Sequence, residues 1–229
     1  MPQEAAWEKE YRNPQLITKE REPQKDVLRF LKFLRRDEGV ALEGLTVLDL
    51  GSGTGRNANY LAALGNAVTG IEISRTAVGL ARDRAREDGL TVTYLHQSMG
   101  ETFPVGDASV DLILDVTSSN SLNEREREAY LAECVRVLKP GGHMFVKTLC
   151  KDGDKNAKAL IKNHPGPEKD TYVNQDMGLV ERVFSRDDFL AAYGRLFSVQ
   201  LLNVKTNYTR FKGQSYKRNF WLAYLKKEA

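Results

Sequence analysis

Residues 47–57 read VLDLGSGTGRN, an almost wholly apolar run of β-formers set directly against three glycines at alternate positions. A short run of Val and Leu suits a strand buried on both faces of a sheet. Glycine allows positive φ and close approach of the backbone to a ligand. A glycine turn between a strand and a helix therefore turns main-chain N–H groups toward a polar ligand at a helix N-terminus. A dinucleotide fingerprint requires GxGxxG, its last glycine or alanine letting helix and strand pack closely. Gly51 and Gly53 fit that spacing, but the position three beyond Gly53 is Arg56, and the pattern is GxGxG through Gly55. Alone, the turn says only that something approaches the backbone here.

Downstream, Ala58, Leu61 and Leu64 mark one helix face that Gly65 is placed to end, and Ala67–Ile73 reads as the next strand. Glu72 ends that strand 21 residues after Gly51, the offset at which an acid accepts two hydrogen bonds from a ribose diol. Ser74 suits the N-cap of a helix carrying Val78, Ala81 and Ala85. Thr91–Leu95 and Val110–Val116 read as the third and fourth strands, with Asp115 near the end of the fourth. Ser121-Leu-Asn-Glu124 has capping-box spacing before a helix that runs toward Leu138. Lys139-Pro-Gly-Gly142 is expected to stop that helix and turn the chain into a fifth strand, His143–Leu149.

Residues 151–178 form a long polar insertion with glycines and prolines, followed by a helix capped at Ser185. Val199–Thr206 and Phe220–Leu225 read as two closing strands around a loop containing Gly213, and upstream Pro23–Glu38 has the periodicity of an amphipathic helix. Alternating strands and helices with short connections predict an α/β fold, a doubly wound parallel sheet with helices on both faces and an antiparallel hairpin at one edge. In such sheets ligands bind beyond the C-terminal ends of the strands. The glycine turn, Glu72, the residues after Leu95, and Asp115 all fall there.

VLDLGSGTGRN, VTGIEIS, VDLILDV and YLAECVRVLKPGGHMFVKT, in that order, resemble the class I S-adenosylmethionine-dependent methyltransferases. The insertion is similar to the same region of the small-molecule and TehB-like branch. The resemblance covers roughly Val47–Thr148 and implies a Rossmann-like sheet of seven strands with the last antiparallel, and S-adenosyl-L-methionine as methyl donor. It implies that Asp49, Gly51, Ser52, Gly53, Thr54, Gly55 and Asn57 cradle the donor's methionine portion. Glu72 would hold the ribose hydroxyls, Ile73 would pack beside the adenine, and Ser98 and Met99 would flank the ring. Relatives often carry an aspartate near Ser98. Asp115 would lie near the sulfonium and the acceptor. Trp7 and Tyr11 form a W-x-x-x-Y pattern like the cofactor-covering segment of small-molecule methyltransferases; a hydrophobic pair anchoring the first helix is the alternative reading.

At 229 residues the chain is sized for one domain, 1–229, with a cap segment at 1–38 and a substrate-side insertion at 150–184. Composition is that of a folded protein, no apolar run is long enough to span a bilayer, and the charged N-terminus lacks a signal-peptide core, so the expectation is cytoplasmic. Cys134 reads as a core residue on a helix face, and Cys150 as an unpaired structural thiol. A net charge of +3 decides little, but seven basic residues after Val199 (Lys205, Arg210, Lys212, Lys217, Arg218, Lys226 and Lys227) face one acid, Glu228.

An activated methyl needs in-line positioning and exclusion of water, and a general base only if the acceptor loses a proton. Asp115, Tyr172 and His164 are the candidates, His96 and His143 reading as surface or strand residues; Arg182 or Arg210 could hold an acidic substrate. No N/D-P-P-Y/F motif follows the fourth strand, and no acidic pattern suggests a metal. A small-molecule acceptor is the first expectation. The alternatives are an RNA or protein methyltransferase using the basic hairpin, and a non-catalytic donor-binding scaffold.

Overall fold

The computed structural model describes residues 3–14, 20–211 and 214–228, with the side chains of residues 209–211 and 214 outside that description. Arg210, Lys212 and the loop at Gly213 thus lie outside the described side chains. The parallel core runs β1 (Thr46–Leu50), α3 (Arg56–Ala63), β2 (Ala67–Glu72), α4 (Arg75–Glu87), β3 (Thr93–His96), β4 (Val110–Val116), α5 (Glu124–Val137) and β5 (Leu138–Leu149). Ahead of it stand α1 (Glu4–Arg12) and α2 (Lys25–Asp37). After it come α6 (Lys155–Asn163), β6 (Thr171–Asn174), β7 (Leu179–Arg182), α7 (Arg186–Tyr193), β8 (Ser198–Phe211) and β9 (Gln214–Lys226).

Seven strands form one sheet in the order β3-β2-β1-β4-β5-β9-β8, with β9, the last in the chain, antiparallel to β5. This is the doubly wound α/β sheet that the alternating pattern predicts. Alternation along the strands divides the core into two layers. Val47, Leu112, Leu114 and Phe145 face α2, α3 and α4, while Leu48, Ile113, Met144 and Val146 face α5 and α7. Cys134 is fully buried in the second layer. Among the described residues no helix is long and apolar enough to cross a membrane.

Three local expectations are corrected. The capping box is Asn123/Glu126 rather than Ser121/Glu124: Asn123 Oδ1 accepts from Glu126 N at 2.9 Å and Glu126 Oε2 from Asn123 N at 3.0 Å. Ser119–Ser121 instead forms a 3-10 turn, so the helix begins two residues later than Ser-x-x-Glu spacing implied. The helix ends at Val137 as expected, but the fifth strand starts at Leu138 rather than His143, so Lys139–Gly142 is already strand. It lies within β5, where the register against β4 jumps between Val110 and Leu112, and Gly141 N donates to Lys227 O at 2.8 Å. Segment 151–178 is not a plain loop, since it holds α6 and part of the β6–β7 hairpin around a small core of Leu149, Ala157, Tyr172 and Val183.

The basic C-terminal strands are largely occupied internally. Lys226 pairs with Glu38 at 2.6 Å, Lys227 Nζ donates to the Val135 and Leu138 carbonyls, and Arg218 donates to Tyr172. Lys205 pairs with Asp26, which is 3 % exposed and also receives Lys147 Nζ at 3.0 Å. This cluster pins the start of α2, and with it Gln24, to β5 and β8. Burial by itself would raise the Asp26 carboxyl, but hydrogen bonds from Lys205 and Lys147 and their charges outweigh it and hold it below the usual range. A depressed carboxyl stabilises the fold above its unfolded pKa, and that contribution is lost as pH falls through the folded value. Asp26→Asn leaves Lys147 without its counter-charge and is expected to cost about 3 kcal/mol. Urea denaturation at pH 7 checks this, with the difference from the parent shrinking in acid.

Candidate functional site

A cavity of about 300 Å³ opens at the C-terminal ends of β1, β2 and β4, at the lower end of the range for small-molecule pockets of about 300–1,000 Å³. Its floor is the turn from Gly51 to Thr54; Glu72 and Ile73 form one wall, Ser98 and Met99 the next, and Val116–Ser118 the far side. Gly51 and Gly53 have φ of 66° and 56°, the left-handed region that favours glycine. A side chain at Gly51 would run into Ser118, and a Cβ at Gly53 would sit 2.8 Å from the Tyr11 hydroxyl. The absence of side chains at these two positions lets Ser118 and Tyr11 pack directly against the turn.

Helix α1 lies over this opening. Gln3 donates to the carbonyls of Ser121 and Val180 and accepts from Val180 N at 2.7 Å. At the middle of the helix Glu8 takes hydrogen bonds from Ser74 Oγ at 2.7 Å, Thr76 Oγ1 at 2.6 Å and Thr76 N at 3.1 Å. Burial would raise the Glu8 carboxyl, but the Thr76 and Ser74 bonds outweigh it and bring it down to about 2. Glu8 therefore holds the N-terminus of α4 as a carboxylate at neutral pH. Trp7 and Tyr11 both line the cavity, with ring centroids 6.3 Å apart. Burial, then the charge on Glu72, raises the Tyr11 phenol well above its ordinary value.

Three carboxylates end the three central strands. Glu72 is 5 % exposed and accepts from Gly53 N at 2.9 Å and Ser74 N at 2.8 Å, which leaves each oxygen with acceptor capacity. Burial raises it against those bonds. Asp49 is 2 % exposed, behind the glycine turn, and one of its oxygens has no partner. Burial, with the charges of Glu72 and Asp115, pushes it up to about 8. Asp115 is fully buried and accepts from Ser118 N, Ser119 N and, at 2.8 Å, the Tyr130 hydroxyl. Burial raises it despite those bonds. It holds the 117–121 turn in place, and its side chain does not line the cavity.

Of the expected donor-binding residues, Trp7, Tyr11, Gly51, Ser52, Gly53, Thr54, Asn57, Glu72, Ile73, Ser98 and Met99 all line the cavity, whereas Asp49, Gly55 and Asp115 lie behind it. Tyr172 and His164 do not reach it. The Tyr172 hydroxyl donates to Glu181 at 2.6 Å and accepts from Arg218 at 3.0 Å; burial raises its phenol far above the neutral range. His164 caps the C-terminus of α6. Cys150 is buried, its thiol pushed up to about 12 by burial, consistent with a structural role.

Sequence reasoning missed Gln3, Gln24, Thr117, Ser118, Ser121 and Leu122, which line the cavity too. Thr117 has φ of 63°, an outlier for a β-branched residue, of the kind found where surroundings over-determine the backbone. Its N–H donates to Lys147 O at 2.7 Å. The available signal was the position of Val-Thr-Ser directly after the fourth strand. Three residues that line the cavity, Gln24, Ser52 and Ser121, each carry a buried side-chain oxygen with no protein partner. Native folds pair such groups with protein, water or ligand.

Residues 47–142 match a family model described as a methyltransferase domain. The ubiquinone biosynthesis O-methyltransferase of Caulobacter vibrioides is 34 % identical over 126 residues, 55 % of this chain and 48 % of that protein. The chain thus spans about half the length of the curated relatives it matches. Among solved structures, a SAM-dependent methyltransferase from Methanosarcina mazei superposes with a TM-score of 0.74 at 20 % identity, covering 90 % of this chain and 99 % of the other. The Burkholderia thailandensis 1,6-didemethyltoxoflavin-N1-methyltransferase, solved with that substrate and S-adenosylhomocysteine, gives 0.70 at 16 % identity, covering 99 % and 87 %. TehB from Haemophilus influenzae gives 0.65 at 16 %, covering 90 % and 63 %. Residues 47–142 are thus a methyltransferase domain, set in a chain whose strand order and glycine turn are those of the class I methyltransferase fold.

The raised Asp49 carboxyl has a consequence for stability. Its folded pKa lies above the unfolded value of about 3.9, so the fold favours the protonated form, and stability erodes as pH rises from about 4 toward 8. Asp49→Asn removes that penalty and is expected to raise the melting temperature at pH 8 by about 2–4 °C, equivalent to about 1 kcal/mol. Scanning calorimetry from pH 4.5 to 8 should show the gain growing with pH.

Proposed function

We propose that this protein transfers a methyl group from S-adenosyl-L-methionine to a small-molecule acceptor. The observation that carries the reading is the trio of buried carboxylates, Asp49, Glu72 and Asp115, under a glycine turn that opens on a nucleoside-sized cavity. Such a trio repels the pyrophosphate of a dinucleotide and attracts a cationic ligand. It matches a donor that carries a sulfonium and an ammonium. The left-handed backbone at Gly51 and Gly53 turns the main chain close to where that donor would sit.

In this reading Glu72 takes the ribose hydroxyls with the acceptor capacity it retains, and Ile73, Ser98 and Met99 flank the base. Gly51–Thr54 receive the amino-acid portion, and the buried Asp49 and Asp115 carboxyls behind them ionise more readily once a cationic ligand is bound. Trp7 and Tyr11 cover the opening and exclude water. Bound there, S-adenosylmethionine supplies an activated methyl, so the chain's contribution is alignment and dehydration. Asp115 acts through the 117–121 turn, which it holds beside the reacting position. Tyr172 and His164 serve the insertion rather than the chemistry. The small-molecule acceptor is supported by the confined cavity under α1 and by the acceptor named for the Burkholderia enzyme; the Caulobacter name points the same way. The 150–184 segment is the acceptor-side cover, tied to α1 through Gln3 and Val180.

Isothermal titration with S-adenosylhomocysteine and with NAD tests the donor class: the former binds, the latter does not. Glu72→Ala is expected to weaken S-adenosylhomocysteine at least tenfold, through lost charge-assisted hydrogen bonds worth about 1.5–3 kcal/mol each, with an unchanged circular dichroism spectrum. Equal affinity in the variant would reject the ribose role. Donor binding without methyl transfer to any component of a small-molecule extract would favour a scaffold.

A further inference from the structure

Beyond the donor cavity, a second polar cluster lies where the 3-10 turn 119–121 and the first turns of α5 meet β7. Arg127, on α5, is 6 % exposed. Its Nη2 donates to the Leu122 carbonyl, but its Nε has no partner. Arg182, at the end of β7, also has an unpartnered buried Nε. Both guanidinium groups are held over the same ring, Phe184, at 5.7 Å and 5.2 Å from its centroid. Neither forms an ion pair among the described residues. Burial first, and then the charge of Arg182, pull the Arg127 pKa down, which reports two like charges confined together.

The carboxylates around the pair are engaged elsewhere. Glu181 accepts from Tyr172 and from Asn120, Asp188 pairs with Lys169 and caps through Ser185, and Asp170 pairs with Lys151. Glu168 spends one oxygen on Glu124 N, and its other oxygen is unpartnered. Ser121 Oγ, which lines the donor cavity, is unpartnered as well. A buried guanidinium without a counter-charge is costly, and a hydroxyl and two guanidinium N–H groups are donors that an acceptor-only group satisfies together.

We infer that Arg127 and Arg182 form an anion subsite that receives a carboxylate of the methyl acceptor, with Ser121 at its junction with the donor cavity. The inference rests on the methyl-transfer reading for what the ligand is, but not for whether the subsite binds. The placement fits. Leu122, whose carbonyl Arg127 holds, lines the donor cavity, so a carboxylate at the arginines leaves the acceptor's other end facing Thr117 and Ser118. Gln3 bridges Ser121 and Val180 across the same seam, so α1 covers both ligands with one helix. The rival occupant is Glu168, whose charge is felt at Arg127 and whose second oxygen is unpartnered.

The test uses size-matched pairs, benzoate against benzamide and phenylacetate against phenylacetamide, titrated into the full chain with and without saturating S-adenosylhomocysteine. The subsite predicts that each carboxylate binds at least tenfold tighter than its amide. Arg182→Gln should reduce that preference to below threefold, and Arg127→Lys should weaken it less than Arg127→Gln. S-adenosylhomocysteine affinity should stay within twofold in the Arg182 variant, which also certifies its fold if Arg127→Gln does not fold. Equal binding of acid and amide, or a preference that survives Arg182→Gln, overturns the subsite and leaves Glu168 or water as the partner. Failure of S-adenosylhomocysteine to bind the parent chain would instead overturn the donor reading, while the titration without it still decides the subsite.

Discussion

The structure depends on the crowding of three carboxylates at the ends of three neighbouring strands. β1, β2 and β4 are adjacent and parallel, so Asp49, Glu72 and Asp115 converge at the same edge of the sheet. Parallel pairing forces their burial, because helices cover both faces and leave only the strand ends open. Burial raises all three, and at Asp49 the charges of Glu72 and Asp115 add to it. Such an arrangement is unfavourable in an empty protein and becomes favourable against a cation, the usual trade of stability for function.

Everything near the cavity is arranged around that edge. The glycine turn brings backbone donors over it without side chains, and Glu72 braces the turn through Gly53 N while bracing α4 through Ser74 N. Asp115 is braced in turn by Tyr130 and orders the strained Thr117–Ser121 segment beside the reacting position. Helix α1 is held over the opening because its middle is bound to the N-terminus of α4 through Glu8 and its N-cap Gln3 to β7. One rigid sheet edge thereby fixes the floor, the far wall and the cover of the cavity.

Much of this was legible in the sequence. The buried strand before the glycines, the acid 21 residues on and the capped helices each carry a local physical signature, and each element formed where that signature placed it, within a few residues. The misses have identifiable causes. Asn123 took the cap from Ser121 because a 3-10 turn consumed the residues in between, a choice made by Asp115 from another strand. Pro-Gly-Gly reads as a stop, yet tertiary pairing with Lys227 made it a bulge within β5. The polar insertion hid α6 because that helix packs chiefly through Ala157, Leu160 and Ile161, too short a stripe to stand out. Tyr172 and His164 looked reactive by residue type, but nothing in sequence reveals that the Tyr172 hydroxyl is held by Glu181 and Arg218. The pair over Phe184 joins residues 55 positions apart, a contact that only the fold creates.

The most direct measurement is a crystal structure of the chain grown with S-adenosylhomocysteine. The account predicts both ribose hydroxyls within hydrogen-bond distance of the Glu72 carboxylate, the base beside Ile73 and Met99, and the sulfur facing Thr117 and Ser118 under a closed α1. A nucleoside lodged elsewhere, or a ribose turned away from Glu72, would contradict it.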